Sequence, residues 1–338
     1  MPNVIVFIHG LGNKPPKNLL ENWWKRALIE GLTQEEQKSF LPKTEMVFWI
    51  DLLYDKLLDP SETNPESPYY IDEPYVKAQP ETVWERDYKR LSVIDYLGSQ
   101  LNRIFLNDEL SLNYSIITDS IVSKYFRELD TYYKDDCLPD DNAICTIKIQ
   151  IRERLIKVLE KYKNHDIMLV SHSMGTIIAY DVLSYLAPDI KIHTFVTMGS
   201  PLGLPVVLAK IAAEQRRRNI TPVQIITPEN ITHVWYNFSD ILDKVAFKYR
   251  LNDVFLPNAK GISPIDFLVA NTYKVNGEPN PHKSFGYLRT PQMSSVTRAF
   301  IKAERLTFMQ KIARWLAIGY RILKSRIQKH QKPAESSK

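Results

Sequence analysis

The stretch IMLVSHSMGTIIAYDVLSYL, Ile167 to Leu186, constrains this chain more than any other. A continuous apolar run stops at Ser-His-Ser-Met-Gly, and apolar residues at helical spacing begin at once. That change of period, with small residues at the break, predicts a buried strand turning abruptly into a helix. Ser and Gly are ordinary turn residues, so a turn with a helix cap would use the same letters. A nucleophile presented on a strained corner would use them for another reason, because small neighbours let strand and helix close around it. The rest of the chain bears on the choice.

Four more runs read as strands: VIVFIHG from Val4, MVFWIDLL from Met46, HTFVTMGSP from His193 and THVWYNF from Thr232. They are nearly continuous in apolar residues, as expected where both faces of a sheet are covered. Helical patterns lie between them. Asn18 to Gly31 carries Leu19, Trp23, Ala27 and Glu30 and ends at a glycine suited to a C-cap. Asn142 to Lys163 carries Ile144, Ile147, Ile151, Leu155, Val158, Leu159 and Tyr162. Met174 to Leu186 supplies Ile177, Ile178, Val182, Leu183 and Leu186, then stops before Pro188. The alternation predicts an α/β fold with a mostly parallel, doubly wound sheet. Residues 55–141 and 245–281 interrupt the rhythm after strand ends, where α/β ligands bind, and are expected to form a helical cap over the site. Decoration that never touches substrate is the alternative. One domain over residues 1–320 is expected, followed by a basic tail at 321–338.

A chain of 338 residues with 44% hydrophobic and 25% charged residues suits a soluble globular protein. No apolar run approaches the roughly 20 residues that span a bilayer. The opening MPNVIVFIHG reads as a core strand, not a secretory signal. Cys137 and Cys145 are too few for a disulfide framework or a four-cysteine zinc site, so a cytoplasmic location is expected. Neither H-E-x-x-H nor any His/Cys/Asp/Glu cluster with ligand spacing occurs, and no metal or other cofactor is expected.

A serine hydroxyl near neutral pH needs a base, and the base needs an orienting carboxylate. Ser173 is the residue that the corner would expose, at the N-terminus of the following helix. With this kind of corner the partners follow in the order Ser, Asp or Glu, His. Of seven histidines only His282 and His330 lie beyond the last strand-like run, and His330 stands among lysines and arginines. His282, in GEPNPHKSFGYL, sits in a loop just before the final helix and is favoured. For the acid, WYNFSDILDKVA offers Asp240, nearer the strand end, and Asp243. Early in the chain, His9-Gly10-Leu11-Gly12 can aim the backbone N–H of Leu11 at the site, to be joined by that of Met174 as an oxyanion hole. His9 is expected to brace this loop. The two glycines could instead make a tight turn or a phosphate cradle, but without a third glycine or a P-loop lysine they point away from nucleotides.

VFIHGLG, SHSMGTIIAYD, TMGSPLG, NFSDILDKVA and NPHKSFGYL, in this order from Val4 to about Phe300, resemble the α/β-hydrolase superfamily. Ser171 stands where the G-x-S-x-G corner usually has its first glycine. SHSMG…AYDVL, GSPLGLP and D-x-V-A-F resemble, more loosely, the intracellular phospholipase A1 group with the DDHD domain. The resemblance implies an α/β-hydrolase fold and a serine ester hydrolase acting on lipid-like acyl esters. It also favours Asp243, followed by Lys-Val-Ala as in lipase-like hydrolases, over Asp240 as the acid. A thioesterase or acyltransferase would use the same three residues, and a non-catalytic binding module could retain them.

Charge is unevenly placed. From Arg298 to Lys338 there are 11 Lys/Arg against two Asp/Glu, whereas the remainder has 33 against 37. Ile312, Trp315, Leu316, Leu323 and Ile327 recur at helical spacing among the cations, which suits peripheral contact with an anionic membrane. Packing of its first half as a last core helix is the alternative. Nucleic-acid binding is not expected, since no recognised module accompanies the charge.

Overall fold

In the computed structural model of the chain, residues 2–32, 42–78, 132, 142–246 and 249–305 are described. Six strands, β1 (Asn3–Ile8), β2 (Lys43–Val47), β3 (Asp166–His172), β4 (Ile192–Met198), β5 (Ile231–Ser239) and β6 (Pro264–Leu268), lie in the order β2-β1-β3-β4-β5-β6. Every neighbouring pair is parallel. Parallel neighbours require crossovers, and helices supply those before β5. These are α1 (Lys17–Glu30), α2 (Asn142–Lys161), α3 (Met174–Tyr185) and α4 (Pro205–Arg217), joined late in the chain by α5 (Ser284–Leu288) and α6 (Pro291–Arg305). The chain is thus an α/β protein.

Side-chain alternation divides the core in two. Val4, Val6 and Ile8 of β1 pack with Ile151, Leu155 and Leu159 of α2 and with residues of α3 and α4 on one face. Ile5 and Phe7 pack with Leu20, Trp24 and Leu28 of α1 and with Phe285, Met293 and Phe300 of α5 and α6 on the other. Each β1 residue from Val4 to Ile8 is fully buried, and burial of such a side chain stabilises by about 1.5–3 kcal/mol. A continuous apolar run is what a strand covered on both faces requires.

The strand order reverses at β1, which has β2 on one side and β3 on the other. A crevice opens at such a switch point, beyond the carboxyl ends of the strands. Ile8 pairs with Ser171, so the turns that leave β1 and β3 meet there.

Several elements depart from the sequence expectation. β2 begins at Lys43 and ends at Val47, and residues 50–52 of the expected strand form a 3₁₀ turn. β2 is an edge strand in which Lys43 is exposed and Thr44 and Glu45 only partly buried, so the apolar signal began too late. On α1 the buried face is Leu20, Trp24, Ala27 and Leu28; the expected Leu19, Trp23 and Glu30 are only partly buried. Gly31 is the C-cap, as expected, with a right-handed backbone (φ −78°). It is there for closeness, because a Cβ would fall 1.9 Å from Ser294 Oγ of α6. Leu186 is 36% exposed. The stretch 245–281, expected as irregular cap, contains β6, whose half-exposed PIDFL gives no continuous apolar run. It also holds a hairpin, Lys274–Val275 with Glu278–Pro279, turned by Asn276 and Gly277, both at positive φ as a type I′ turn demands.

Of the other expected cap, residues 55–78 are described: a strap of turns that runs from the end of β2 toward α1 and α5. Tyr132 lies in the core beside a buried ion pair, Arg152 Nη2 to Asp181 Oδ2 at 2.6 Å, and its hydroxyl donates to the same carboxylate at 3.0 Å. The rest of 55–141 and the basic tail with its expected membrane-facing helix fall outside the described residues. Among the described residues no helix is long and apolar enough to cross a membrane.

Candidate active site

At the end of β3 the backbone of Ser173 takes φ 53°, ψ −127°, then α3 begins at Met174. Positive φ is costly for a residue with a Cβ, so surrounding contacts must enforce it. The Ser173 N–H donates to Met198 O at 3.0 Å, and Thr176 Oγ1 donates to Ser173 O at 2.7 Å. Ser171, fully buried, donates its hydroxyl to Val196 O at 2.8 Å, which a glycine in its place could not do. Gly175 and Gly10 set the closeness: a Cβ on Gly175 would fall 2.7 Å from the carbonyl oxygens of Ile8 and His9, and one on Gly10 would fall 2.6 Å from Ser173 Cβ. Ser173 makes no side-chain cap to its own helix. Its hydroxyl instead meets His282 Nε2 at 3.0 Å.

His282 Nδ1 lies 2.8 and 2.9 Å from the two oxygens of Asp243. Asp243 otherwise receives only donors, the N–H groups of Val245 (2.9 Å) and Ala246 (3.3 Å) and the hydroxyl of Tyr287 (2.6 Å). The carboxylate therefore accepts a hydrogen bond from Nδ1–H, and Nε2 is left to accept from Ser173. The Asp243 side chain is wholly buried, whereas that of His282 is 28% exposed, so the ring can be reached from solvent and its orienter cannot.

Asp240 has a different task. Its oxygens accept the N–H groups of Leu242 (2.7 Å) and Asn271 (2.6 Å). Tyr287 bridges the two carboxylate residues, accepting the Asp240 N–H at 3.0 Å while donating to Asp243. Burial and the neighbouring Asp243 push the Tyr287 phenol well above its ordinary value, which keeps it a donor.

Two further histidines frame the corner. His172 Nε2 meets the carbonyl of His282 at 2.7 Å, and since a carbonyl only accepts, Nε2 carries the proton. Burial, then the nearby His282, lowers the His172 pKa well below its usual value, so the ring stays neutral. His9 is fully buried, and burial and the charge of Lys14, against the opposing Gly10 carbonyl, bring it down to about 3. Its Nδ1 donates to Gly10 O at 2.9 Å, its Nε2 accepts from Trp49 N at 3.3 Å, and the ring stacks on Trp49. It braces the loop.

Leu11 follows Gly10 in the turn after β1, and Met174 is the first residue of α3. Neither N–H donates to another described residue, and both border the corner that holds Ser173. Lys14 Nζ donates to the carbonyls of Leu11 and Gly12, the latter at 2.9 Å, which pins this turn. A cleft of about 810 Å³ opens onto Ser173 and His282, with Trp23, Trp24 and Phe285 on one wall and Tyr70 and Ile71 of the strap on another. Among the described residues no three His, Cys, Asp or Glu side chains are grouped to hold a metal ion.

The structure thus brings Ser173, His282 and Asp243 into one hydrogen-bonded line and sets Asp240 beside it. Sequence reasoning did not single out Tyr287, His172, Asn271 or Gly199. Gly199 stands at φ 53° after β4, where a Cβ would fall 2.8 Å from Asp243 Oδ2 and 3.1 Å from His282 Nδ1. Its only signal was its place in the TMGSPLG run. Asn271 Nδ2 donates to the carbonyls of Pro281 and Lys283, both at 2.8 Å, and so clamps the loop around His282. Nothing near it in sequence announced that. No protein-family model matches this chain, and no curated protein matches it.

Proposed function

We propose that this chain is a serine hydrolase of α/β-hydrolase fold that cleaves carboxylic esters of lipid-like substrates through an acyl-enzyme on Ser173. The observation that carries the proposal is the line Ser173 Oγ to His282 Nε2 at 3.0 Å and His282 Nδ1 to Asp243 at 2.8 Å, set on a strained corner at the mouth of a cleft. A buried structural network would have no need of a serine held at φ 53° with its hydroxyl left off the helix cap.

In this mechanism the Ser173 oxygen attacks the ester carbonyl while His282 Nε2 takes its proton. Asp243 holds the imidazole in the right tautomer and stabilises the imidazolium, itself fixed by Tyr287 and two backbone N–H groups. The N–H groups of Leu11 and Met174 receive the oxyanion. His282 then protonates the departing alcohol, and a water molecule activated by the same ring releases the acid. The aromatic wall of Trp23, Trp24 and Phe285 supports an apolar acyl group beside the nucleophile.

The test is labelling with a fluorophosphonate probe, followed by peptide mapping, alongside p-nitrophenyl ester hydrolysis by wild type and Ser173→Ala. Label on Ser173 and loss of hydrolysis in the variant are expected. A folded wild-type protein that neither labels nor hydrolyses would remove the proposal and leave a binding module.

A further inference from the structure

The loop that carries His282 is held from three sides. Asn271 clamps the carbonyls of Pro281 and Lys283, and His172 holds the carbonyl of His282 itself. The third holder comes from the strap. Glu73 Oε1 accepts from Asn280 Nδ2 at 2.6 Å, and Oε2 accepts from Lys283 Nζ at 2.7 Å. Asn280 Oδ1 in turn accepts the N–H of His282 at 3.0 Å. One carboxylate therefore fixes the residue two before the histidine and the residue one after it.

The strap is fastened at both ends to the same machinery. At its start Leu58 N donates to Lys14 O at 3.1 Å and Asn13 Nδ2 donates to Lys56 O at 3.0 Å, beside the turn that bears Leu11. Past Glu73, Tyr273 Oη donates to Pro74 O at 2.6 Å and Arg289 Nη1 donates to Val76 O at 2.9 Å. Between these points it walls the cleft. The Glu73–Lys283 pair is a quarter to a third exposed, and pairs of that kind add little to stability. Its consequence is geometric.

We propose that Glu73 is a positioning residue for His282, acting through Asn280 and Lys283, so that the segment walling the cleft also sets the base. This rests on the serine-hydrolase function proposed above. A displacement of about 1 Å at a reacting group can cost a factor of about 100 in rate, so a bond two steps removed from the ring still matters. An effect on proton transfer belongs in kcat, whereas loss of a contact between substrate and the cleft wall would appear in KM.

The experiment begins with fluorophosphonate labelling of the wild type, which reports the nucleophile independently of Glu73. It then compares kcat and KM for p-nitrophenyl butyrate in Glu73→Ala, Glu73→Gln, Asn280→Ala and the Glu73→Ala/Asn280→Ala double variant. Glu62→Gln, a strap residue that bonds the nearby N–H groups of Thr63 and Asn64, is the control. Glu73→Ala should lower kcat about tenfold with KM within about twofold. The double variant should be slowed by less than the product of the two single losses, since Glu73 acts in part through Asn280. Glu73→Gln should recover part of the loss, as its amide oxygen still accepts from Asn280, and Glu62→Gln should match wild type. Wild-type kcat in Glu73→Ala, or losses that multiply in the double variant, would overturn the proposal. Should Glu73→Ala not fold, Glu73→Gln and Lys283→Met take its place, and wild-type kcat in both would overturn it equally. A wild type without label on Ser173 refutes the hydrolase function itself, a result distinct from any of these.

Discussion

Replacing Gly199 by alanine tests whether the proposed site depends on tolerances of a few tenths of an ångström. The new Cβ would fall 2.8 Å from Asp243 Oδ2, 3.1 Å from His282 Nδ1 and 3.2 Å from His282 Cε1, whereas an ordinary contact begins near 3.4 Å. Something must move by about 0.6 Å if the Asp243 contact is to relax to that ordinary separation. Asp243 is held by Tyr287, Val245 and Ala246 and the His282 loop by Asn271, His172 and Glu73, so relief of these contacts must disturb the pair that sets the base. On the scale of about 100-fold per ångström, kcat should fall by about 10- to 100-fold, or about 1.4–2.7 kcal/mol of barrier. The positive φ adds a separate cost of about 1–2 kcal/mol in stability. Gly277→Ala isolates that second cost, because Gly277 has φ 84° and nothing within 4 Å of its Cβ position. Hydrolysis of p-nitrophenyl esters, the rate of fluorophosphonate labelling and denaturant midpoints would be measured for both. Both variants should lose stability, Gly199→Ala the more because its overlap adds to the cost of the positive φ, and only Gly199→Ala should lose rate. Equal rates in the two would refute the idea that the space above Asp243 and His282 is reserved.

Two other outcomes are expected. Tyr287→Phe removes a donor from Asp243 and an acceptor from the Asp240 N–H, and should cost about 1–3 kcal/mol in denaturant unfolding together with a drop in kcat; a variant unchanged in both would show the phenol to be idle. Acid should weaken the fold early, because His9 and His172 stay neutral in the native state while an unfolded histidine takes up a proton near pH 6.5. Their stabilising contribution is whole above that value and declines as pH falls toward the lowered native values, by on the order of 1 kcal/mol per ring at pH 5.5. Unfolding midpoints that do not shift between pH 7.5 and pH 5.5 would contradict this.

The architecture was legible where burial is symmetrical. β1, β3 and β4 are covered on both faces, so their apolar runs stand out, and the switch from Val170 to Ile177 marks a strand entering a helix in any reading. Edge strands have no such signature. β2 was placed late and β6 was missed inside a supposed excursion, because each buries only part of its length and the sequence pattern reports burial, not pairing. On α1 the helix was legible but its inner face was read one residue out of register, since Trp23 and Trp24 are equally apolar and only packing tells them apart.

The sequence by itself determined the order of the chemistry: a small-residue corner with a serine, then two aspartates after a strand, then one histidine in a late loop. It determined too that the corner is flanked by small residues, Ser171 and Gly175. Which aspartate faces His282 was decided only by folding, through three residues that are remote or unremarkable in sequence: Tyr287 tying both acids together, Asn271 clamping the loop, and Gly199 leaving the space. Such contacts join positions tens of residues apart through hydrogen bonds that need sub-ångström placement. A linear pattern records which side chains are present and how they repeat, while distance across a sheet edge exists only once the strands are paired.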